Sequence, residues 1–159
     1  MIAALLTVVL LAGPAPTDAP AREKQAGPVP SPSLSPDQVV RIQLDALRLN
    51  DRPAKDAGIA AAFRFASPKN REATGPLDNF ARIVRGPGYL PMIDHRIAGT
   101  GPMVIVGEVA AQRVTVVAKD GRAFEYEFQL SKDPATGCWF TDGVIPLTPV
   151  KPAPKGVLS

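Results

Sequence analysis

The stretch FEYEFQL, residues 124–130, alternates apolar and polar side chains at every step. This period of two is typical of a β-strand with one buried face and one face toward water. Asp120-Gly121 comes shortly before it, and the β-branched run 114–117 comes before that pair, which is the pattern of a β-hairpin. Strand signals continue through residues 102–143 almost without interruption. The back half of the chain is therefore predicted to form an antiparallel sheet with one aromatic face.

The loop of this hairpin decides which residues face each other. A two-residue turn at Asp120-Gly121 would pair Val117 with Phe124 and place Arg113 opposite Phe128, on the aromatic face. A three-residue loop would shift the register and move Arg113 to the other face. The sequence leaves both registers open.

Helical spacing dominates the chain before the sheet. Ser35, Pro36 and Gln38 have the composition of a capping box at the start of a first helix. The predicted helices cover about residues 35–49, 54–65 and 77–85. Residues 89–97 are ambiguous, an edge strand broken by proline being one interpretation, and residues 99–102 are expected to form a turn.

Helices followed by consecutive strands indicate an α+β fold. We expect a cone-like arrangement, in which about three N-terminal helices pack on one face of a curved, mostly antiparallel sheet. Further strands are predicted near residues 103–109, 112–118 and 138–144. Strands of this length can bend around the helices and leave an interior that could hold a ligand.

Composition narrows the classes of function. The net charge is only +3, from 18 basic and 15 acidic residues, and the basic residues are scattered, so no nucleic-acid partner is expected. One cysteine excludes an intramolecular disulfide. One histidine and one cysteine without an acidic cluster do not supply the three or four ligands of a metal site. We therefore expect neither a metal nor another cofactor.

The two ends of the chain differ from its middle. An apolar run over residues 2–12, followed by small residues, resembles the core of a secretory signal, and it is too short to cross a membrane comfortably. We predict a signal peptide at 1–21, a proline-rich disordered linker at 22–34, one domain at 35–147 and a disordered tail at 148–159. Export to the periplasm or the medium follows, with an uncleaved N-terminal membrane anchor as the alternative and no stable membrane span in either case.

One motif carries a resemblance. The run ASPKNREATGP at residues 66–76, followed by Phe80, resembles an uncharacterised family, domain of unknown function 4864. Gln43-Leu44, Gly88-Tyr89 and Trp139-Phe140 fit the same pattern, and the similarity covers about residues 35–147. Members of this family look like proteins of the nuclear-transport-factor-2-like (SnoaL-like) superfamily, a cone of helices wrapped by a bent sheet. That superfamily contains isomerases, dehydratases and cyclases as well as binding and dimerisation modules, and the family itself implies no activity.

Two adjacent residues are the candidates for catalysis. His95 is the only histidine of the chain, and it follows Asp94. In catalytic cones of the resembled type, an Asp–His pair commonly moves the proton. Neighbouring residues of a strand point to opposite faces, however, so both could enter one pocket only through a bulge. A structural or surface histidine is the favoured interpretation.

Five other residues are candidates for lining a pocket: Gln43, Arg71, Tyr89, Tyr126 and Trp139. Gln43 falls inside the apolar arc of the first helix, where its amide must find partners, and bonding to sheet backbone is its favoured role. Arg71 could clamp a carboxylate, but bonding to free carbonyls at the end of the second helix is the preferred explanation. Core packing is preferred for both Tyr126 and Trp139.

We therefore predict an exported, noncatalytic module that binds a small apolar ligand or a protein partner, with a homodimer as one form of the latter. The alternative is a small-molecule isomerase or hydrolase in which Asp94 or His95 is the general base and Tyr89 or Tyr126 orients the substrate. The enzyme hypothesis requires a titratable side chain at the bottom of an open cavity.

Overall fold

Four α-helices cover one face of a four-stranded antiparallel sheet in the computed structural model, which describes residues 27–147. The elements in chain order are α1 (Pro36–Arg48), α2 (Ala57–Arg64), α3 (Pro68–Thr74), α4 (Leu77–Val84), a 3-10 turn (Leu90–Met92), β1 (Ile97–Val106), β2 (Val109–Val117), β3 (Ala123–Lys132) and β4 (Trp139–Pro146). The α+β class is confirmed. The predicted signal peptide and tail lie outside the described residues, as do residues 22–26 of the predicted linker.

The sheet is a simple meander in which each strand pairs with the next, in the order β1-β2-β3-β4. Phe124, Tyr126, Phe128 and Leu130 of β3 are buried against the helices, together with every second residue of β2. The intervening residues of β3 face away from the helices. The period-two pattern of FEYEFQL therefore predicted the buried face of this strand.

The β2–β3 hairpin closes with a three-residue loop, so the register from a two-residue turn is wrong. Phe124 pairs with Val116, and Arg113 pairs with Glu127 on the face away from the helices. Gly121 has a φ of +88°, a left-handed conformation that ends a three-residue loop of this kind and that suits glycine. One residue of loop length thus moves Arg113 off the aromatic face.

The chain before β2 differs from the expected turn and edge strand. Residues 99–102 lie within β1, where the pairing with β2 shifts register between Thr100 and Met103. This irregularity lets the edge strand accommodate Pro102, which has no N–H to donate. Residues 90–92 form a 3-10 turn rather than part of a strand, and Asp94 has a φ of +53°.

The helical half contains one more helix than expected. Helix α3 begins at Pro68, after Ser67, whose hydroxyl accepts a hydrogen bond from the Asn70 N–H at 3.1 Å. Helix α1 begins as predicted, and the Gln38 side chain accepts from the Ser35 N–H at 2.8 Å. No helix among residues 27–147 has the length and apolar character that crossing a membrane requires.

Candidate functional site

A cavity of about 230 Å³ lies between the four helices and the β3–β4 half of the sheet. Its wall is predominantly apolar. The apolar contributions include Leu47, Ala62, Phe80, Val84, Met92 and Phe128. The polar contributions come from Gln43, Asn70, Thr74, Tyr89, Thr141 and Asp142. Of the five pocket candidates from the sequence, Gln43 and Tyr89 line this cavity.

Gln43 is 5% exposed and joins two helices to the sheet. Its Nε2 donates to the Ala62 carbonyl at 3.0 Å, and its Oε1 accepts from the Thr141 hydroxyl at 2.6 Å. The expected partner was sheet backbone, whereas the observed partners are a helix carbonyl and a sheet side chain. The amide is satisfied at both ends, so its desolvation on burial is offset within the protein.

Asn70 and Thr141 continue the same network. Asn70 Nδ2 donates to the Thr141 carbonyl at 3.0 Å, and the Thr141 N–H donates to the Phe65 carbonyl at 2.7 Å. The Thr74 hydroxyl donates to the Asn70 carbonyl at 2.8 Å. These bonds attach α3 and the end of α2 to β4. The polar side of the cavity is therefore also the junction that fixes the helices on the sheet.

Asp142 occupies an irregularity in β4 that sequence reasoning missed. Gln129 pairs with Gly143 and Leu130 pairs with Thr141, so Asp142 is the extra residue of a bulge. Its carboxylate accepts a hydrogen bond from the Ser131 hydroxyl at 2.9 Å. The only sequence signal was a polar pair followed by glycine inside a predicted strand.

The two tyrosines have their hydroxyls bonded to backbone. Tyr89 donates to the Val144 carbonyl and Tyr126 donates to the Gly88 carbonyl, both at 3.0 Å. Burial raises the pKa of Tyr126 far above its ordinary value of 10, with a smaller contribution from Tyr89. Tyr126 is buried in the core and is not part of the cavity wall, and its hydroxyl stays protonated at physiological pH.

Arg71 and Trp139 also lie outside the cavity wall. The Arg71 guanidinium donates to the carbonyls of Phe63, Arg64 and Ala66 at 2.9–3.2 Å and stacks 5.0 Å above the Phe63 ring. It therefore caps the end of α2, which was the preferred explanation for this residue. Trp139 is buried in the core at the start of β4.

Asp94 and His95 are not in the cavity either. Asp94 is exposed, whereas His95 is 4% exposed and lines a separate cleft between α1 and β1. His95 Nδ1 bonds to the Met92 carbonyl at 2.8 Å. Burial is the main reason that the pKa of His95 is lowered from 6.5, and the Arg48 charge adds to it, against the opposing effects of the Met92 bond, Asp45 and Asp94.

The cavity wall contains few titratable side chains. Its titratable side chains are Tyr89 and Asp142, and each is engaged in a hydrogen bond with the surrounding protein. Among residues 27–147, no group of three or more His, Cys, Asp or Glu side chains is placed to hold a metal ion. The wall offers apolar surface and satisfied amide and hydroxyl groups.

Comparison with known proteins gives one match. No curated protein and no solved structure matches the chain. The family described as Domain of unknown function (DUF4864) matches residues 34–153, which includes the whole sheet, all four helices and the cavity. The chain belongs to the DUF4864 family.

Proposed function

We propose that this protein is an exported, noncatalytic binding module whose cavity takes a small apolar molecule. The observation that carries the proposal is the cavity of about 230 Å³ between helices and sheet, with a mainly apolar wall. Concave, largely apolar sites with a few polar groups are the usual form of small-molecule sites. The apolar run at residues 2–12 supports export, and helices packed on one face of a sheet with a cavity between them support a nuclear-transport-factor-2-like cone.

The wall also constrains the ligand. The Gln43 and Thr141 side chains bond to each other, and the Tyr89 hydroxyl bonds to the sheet backbone. A ligand that competed for these groups would have to break bonds that hold the helices in place. Recognition therefore depends on shape and apolar contact, and we expect ligands with few polar atoms.

The isomerase or hydrolase alternative is not favoured by this geometry. It requires Asp94 or His95 at the bottom of the cavity, and neither residue belongs to the wall. A general base must come within hydrogen-bond reach of the proton that it removes. A ligand inside the cavity is therefore not expected to be deprotonated by either residue.

A thermal-shift screen with small apolar fragments tests the binding proposal. Ala73 is exposed on α3 and lines the cavity, whereas its neighbour Glu72 is exposed and does not. We expect Ala73→Trp to abolish the stabilisation by a fragment, because the indole covers the opening, and Glu72→Trp to leave it unchanged. If no fragment raises the melting temperature, or if both variants lose the effect equally, the proposal is wrong.

Self-association is a second candidate for the module. Val104, Val106 and Val109, at the tip of the β1–β2 hairpin, are each more than half exposed, and β1 is an edge strand. Exposed apolar clusters on edge strands are typical of contact surfaces. Sedimentation equilibrium gives the oligomeric state, and a monomer over the whole concentration range would contradict a homodimer.

A further inference from the structure

A second opening, separate from the cavity, lies between α1 and the start of β1. It has a volume of about 380 Å³, and its wall contains three arginines, Arg41, Arg48 and Arg96, against one carboxylate, Asp45. Leu44 and Ala98 add apolar surface. The wall therefore combines an excess of positive charge with a smaller apolar part, which is the character of a site for an organic anion.

The arginines are available to a ligand. Arg41 lies 3.7 Å from Asp37 and Arg48 lies 3.8 Å from Asp45, distances that are long for charge-assisted hydrogen bonds. The Arg41 side chain is 64% exposed and the Arg48 side chain is 47% exposed. Exposed ion pairs of this kind contribute little free energy, so a better acceptor can replace them. Arg96 Nε donates to the Lys119 carbonyl at 3.0 Å, which leaves its terminal nitrogens without a partner among residues 27–147.

His95 gives the cleft a buried polar atom. Its Nδ1 must carry a proton, because the Met92 carbonyl can only accept. In the neutral ring Nε2 then holds a lone pair, and no described residue donates to it. His95 lines the cleft with 4% of its surface exposed, and Nε2 is the ring nitrogen that forms no bond within the described residues.

We propose that this cleft binds the phosphate group of a small phosphate monoester. Below its second pKa of about 6 a phosphate monoester is a monoanion, which carries both a hydroxyl that can donate to His95 Nε2 and oxygens that accept from Arg41, Arg48 and Arg96. An ionised carboxylate has only acceptors and would leave Nε2 without a donor. The guanidinium groups match phosphate oxygens in geometry as well as in charge. The cleft is larger than a phosphate group, and Leu44 with Ala98 provides the surface for the organic part of the ester.

The single histidine makes the test direct, because the imidazole nitrogen signals of the full chain come from one residue. Phenyl phosphate and inorganic phosphate serve as soluble probes, and benzoate is the carboxylate control. We expect saturable shifts of the His95 nitrogen signals with phenyl phosphate and much weaker ones with benzoate. The titration is run below about pH 6, where the phosphate hydroxyl is present, and donation from that hydroxyl stabilises the neutral ring, so the Nε2 signal of the complex should keep the shift of an unprotonated nitrogen.

Variants distinguish a built site from general attraction of anions. Arg48→Gln and Arg41→Gln should each weaken phenyl phosphate binding about tenfold or more, since each removes charge-assisted hydrogen bonds. Arg113→Gln removes the same charge from the far face of the sheet and should leave binding unchanged. Equal weakening by Arg113→Gln, benzoate binding as tight as that of phenyl phosphate, or no shift with any phosphate probe would overturn the proposal.

The phosphate could belong to a soluble metabolite or to a phospholipid headgroup. Vesicles of phosphatidylcholine, with and without phosphatidic acid, separate these sources. Binding of phenyl phosphate in solution supports a soluble ester, and Arg48-dependent cosedimentation only with phosphatidic acid supports the headgroup. Neither result depends on the apolar cavity, since the cleft shares none of the cavity's lining residues.

Discussion

Replacing Gln43 by leucine should destabilise the fold mainly by leaving the Thr141 hydroxyl without an acceptor. Thr141 is 2% exposed, and its hydroxyl donates to Gln43 Oε1 at 2.6 Å. The Ala62 carbonyl loses the Gln43 bond but keeps the one from the Phe65 N–H at 3.1 Å. The Thr141 hydroxyl is therefore the group that the substitution leaves without a hydrogen-bond partner.

The magnitude follows from burial. A buried hydroxyl without a partner costs about 1–3 kcal/mol, so we expect Gln43→Leu to lower the free energy of unfolding by about 2 kcal/mol. Thr141→Val leaves Gln43 Oε1 without a donor instead and should lower the free energy of unfolding by a similar amount. The double variant removes both polar groups together, and we expect it to lose less than the sum of the two by about 1 kcal/mol or more.

Urea unfolding measures these differences. The single tryptophan, Trp139, is buried and lies two residues from Thr141, so its fluorescence and the far-ultraviolet circular dichroism should be followed together. Gln129→Leu on the exposed face of β3 is a matched control that should change the stability by less than about 0.5 kcal/mol. Strict additivity of the two single variants in the double variant would refute the reasoning.

Two further predictions concern α2 and the cleft. Gly58→Ala should lower the free energy of unfolding in urea by about 1–3 kcal/mol, although alanine is the better helix former. The reason is that the alanine Cβ would clash with the Ala46 carbonyl and lie 2.7 Å from Asn50 Cα. An unchanged or higher stability would contradict this close approach of α1 and α2. The pKa of His95 is lowered in the folded protein, so between that pKa and 6.5 the unfolded chain binds more protons than the folded one. The His95 contribution to the free energy of unfolding should therefore be fully present above pH 6.5 and fall as the pH drops toward the folded pKa. A His95→Gln variant whose stability keeps the same dependence on pH would show that another group is responsible.

The parts of the fold that the sequence predicted are those with a local cause. The alternation at residues 124–130 specifies a buried face within one strand, and the capping residues at Ser35 act within one helical turn. Helix α3 was missed because its seven residues are largely exposed and carry no apolar stripe. Its position depends on Ser67 at its start and on the bond from Asn70 to β4, which lies 71 residues away in the chain.

The candidate site, like the fold, could be predicted from the sequence only where the cause is local. Gln43 stood out because a polar residue interrupted an apolar helix face, but its partners belong to another helix and to the last strand. The bulge at Asp142 depends on a register shift between β3 and β4, and no spacing within β4 alone specifies it. Pairing between distant segments therefore decides which polar groups meet, whereas local periodicity only indicates that they are buried.

The separation of His95 from the cavity follows from the backbone between α4 and β1. The 3-10 turn at Leu90–Met92 and the left-handed residue Asp94 change the chain direction before β1 begins. Met92 then lines the cavity, whereas His95, three residues later, lines the cleft beside α1. In an extended strand only one of Asp94 and His95 could have faced the cavity without a bulge; the observed turn instead gives the apolar opening and the cationic opening different walls. Each opening can therefore be altered by substitution without changing the other, and this makes the two binding proposals independent.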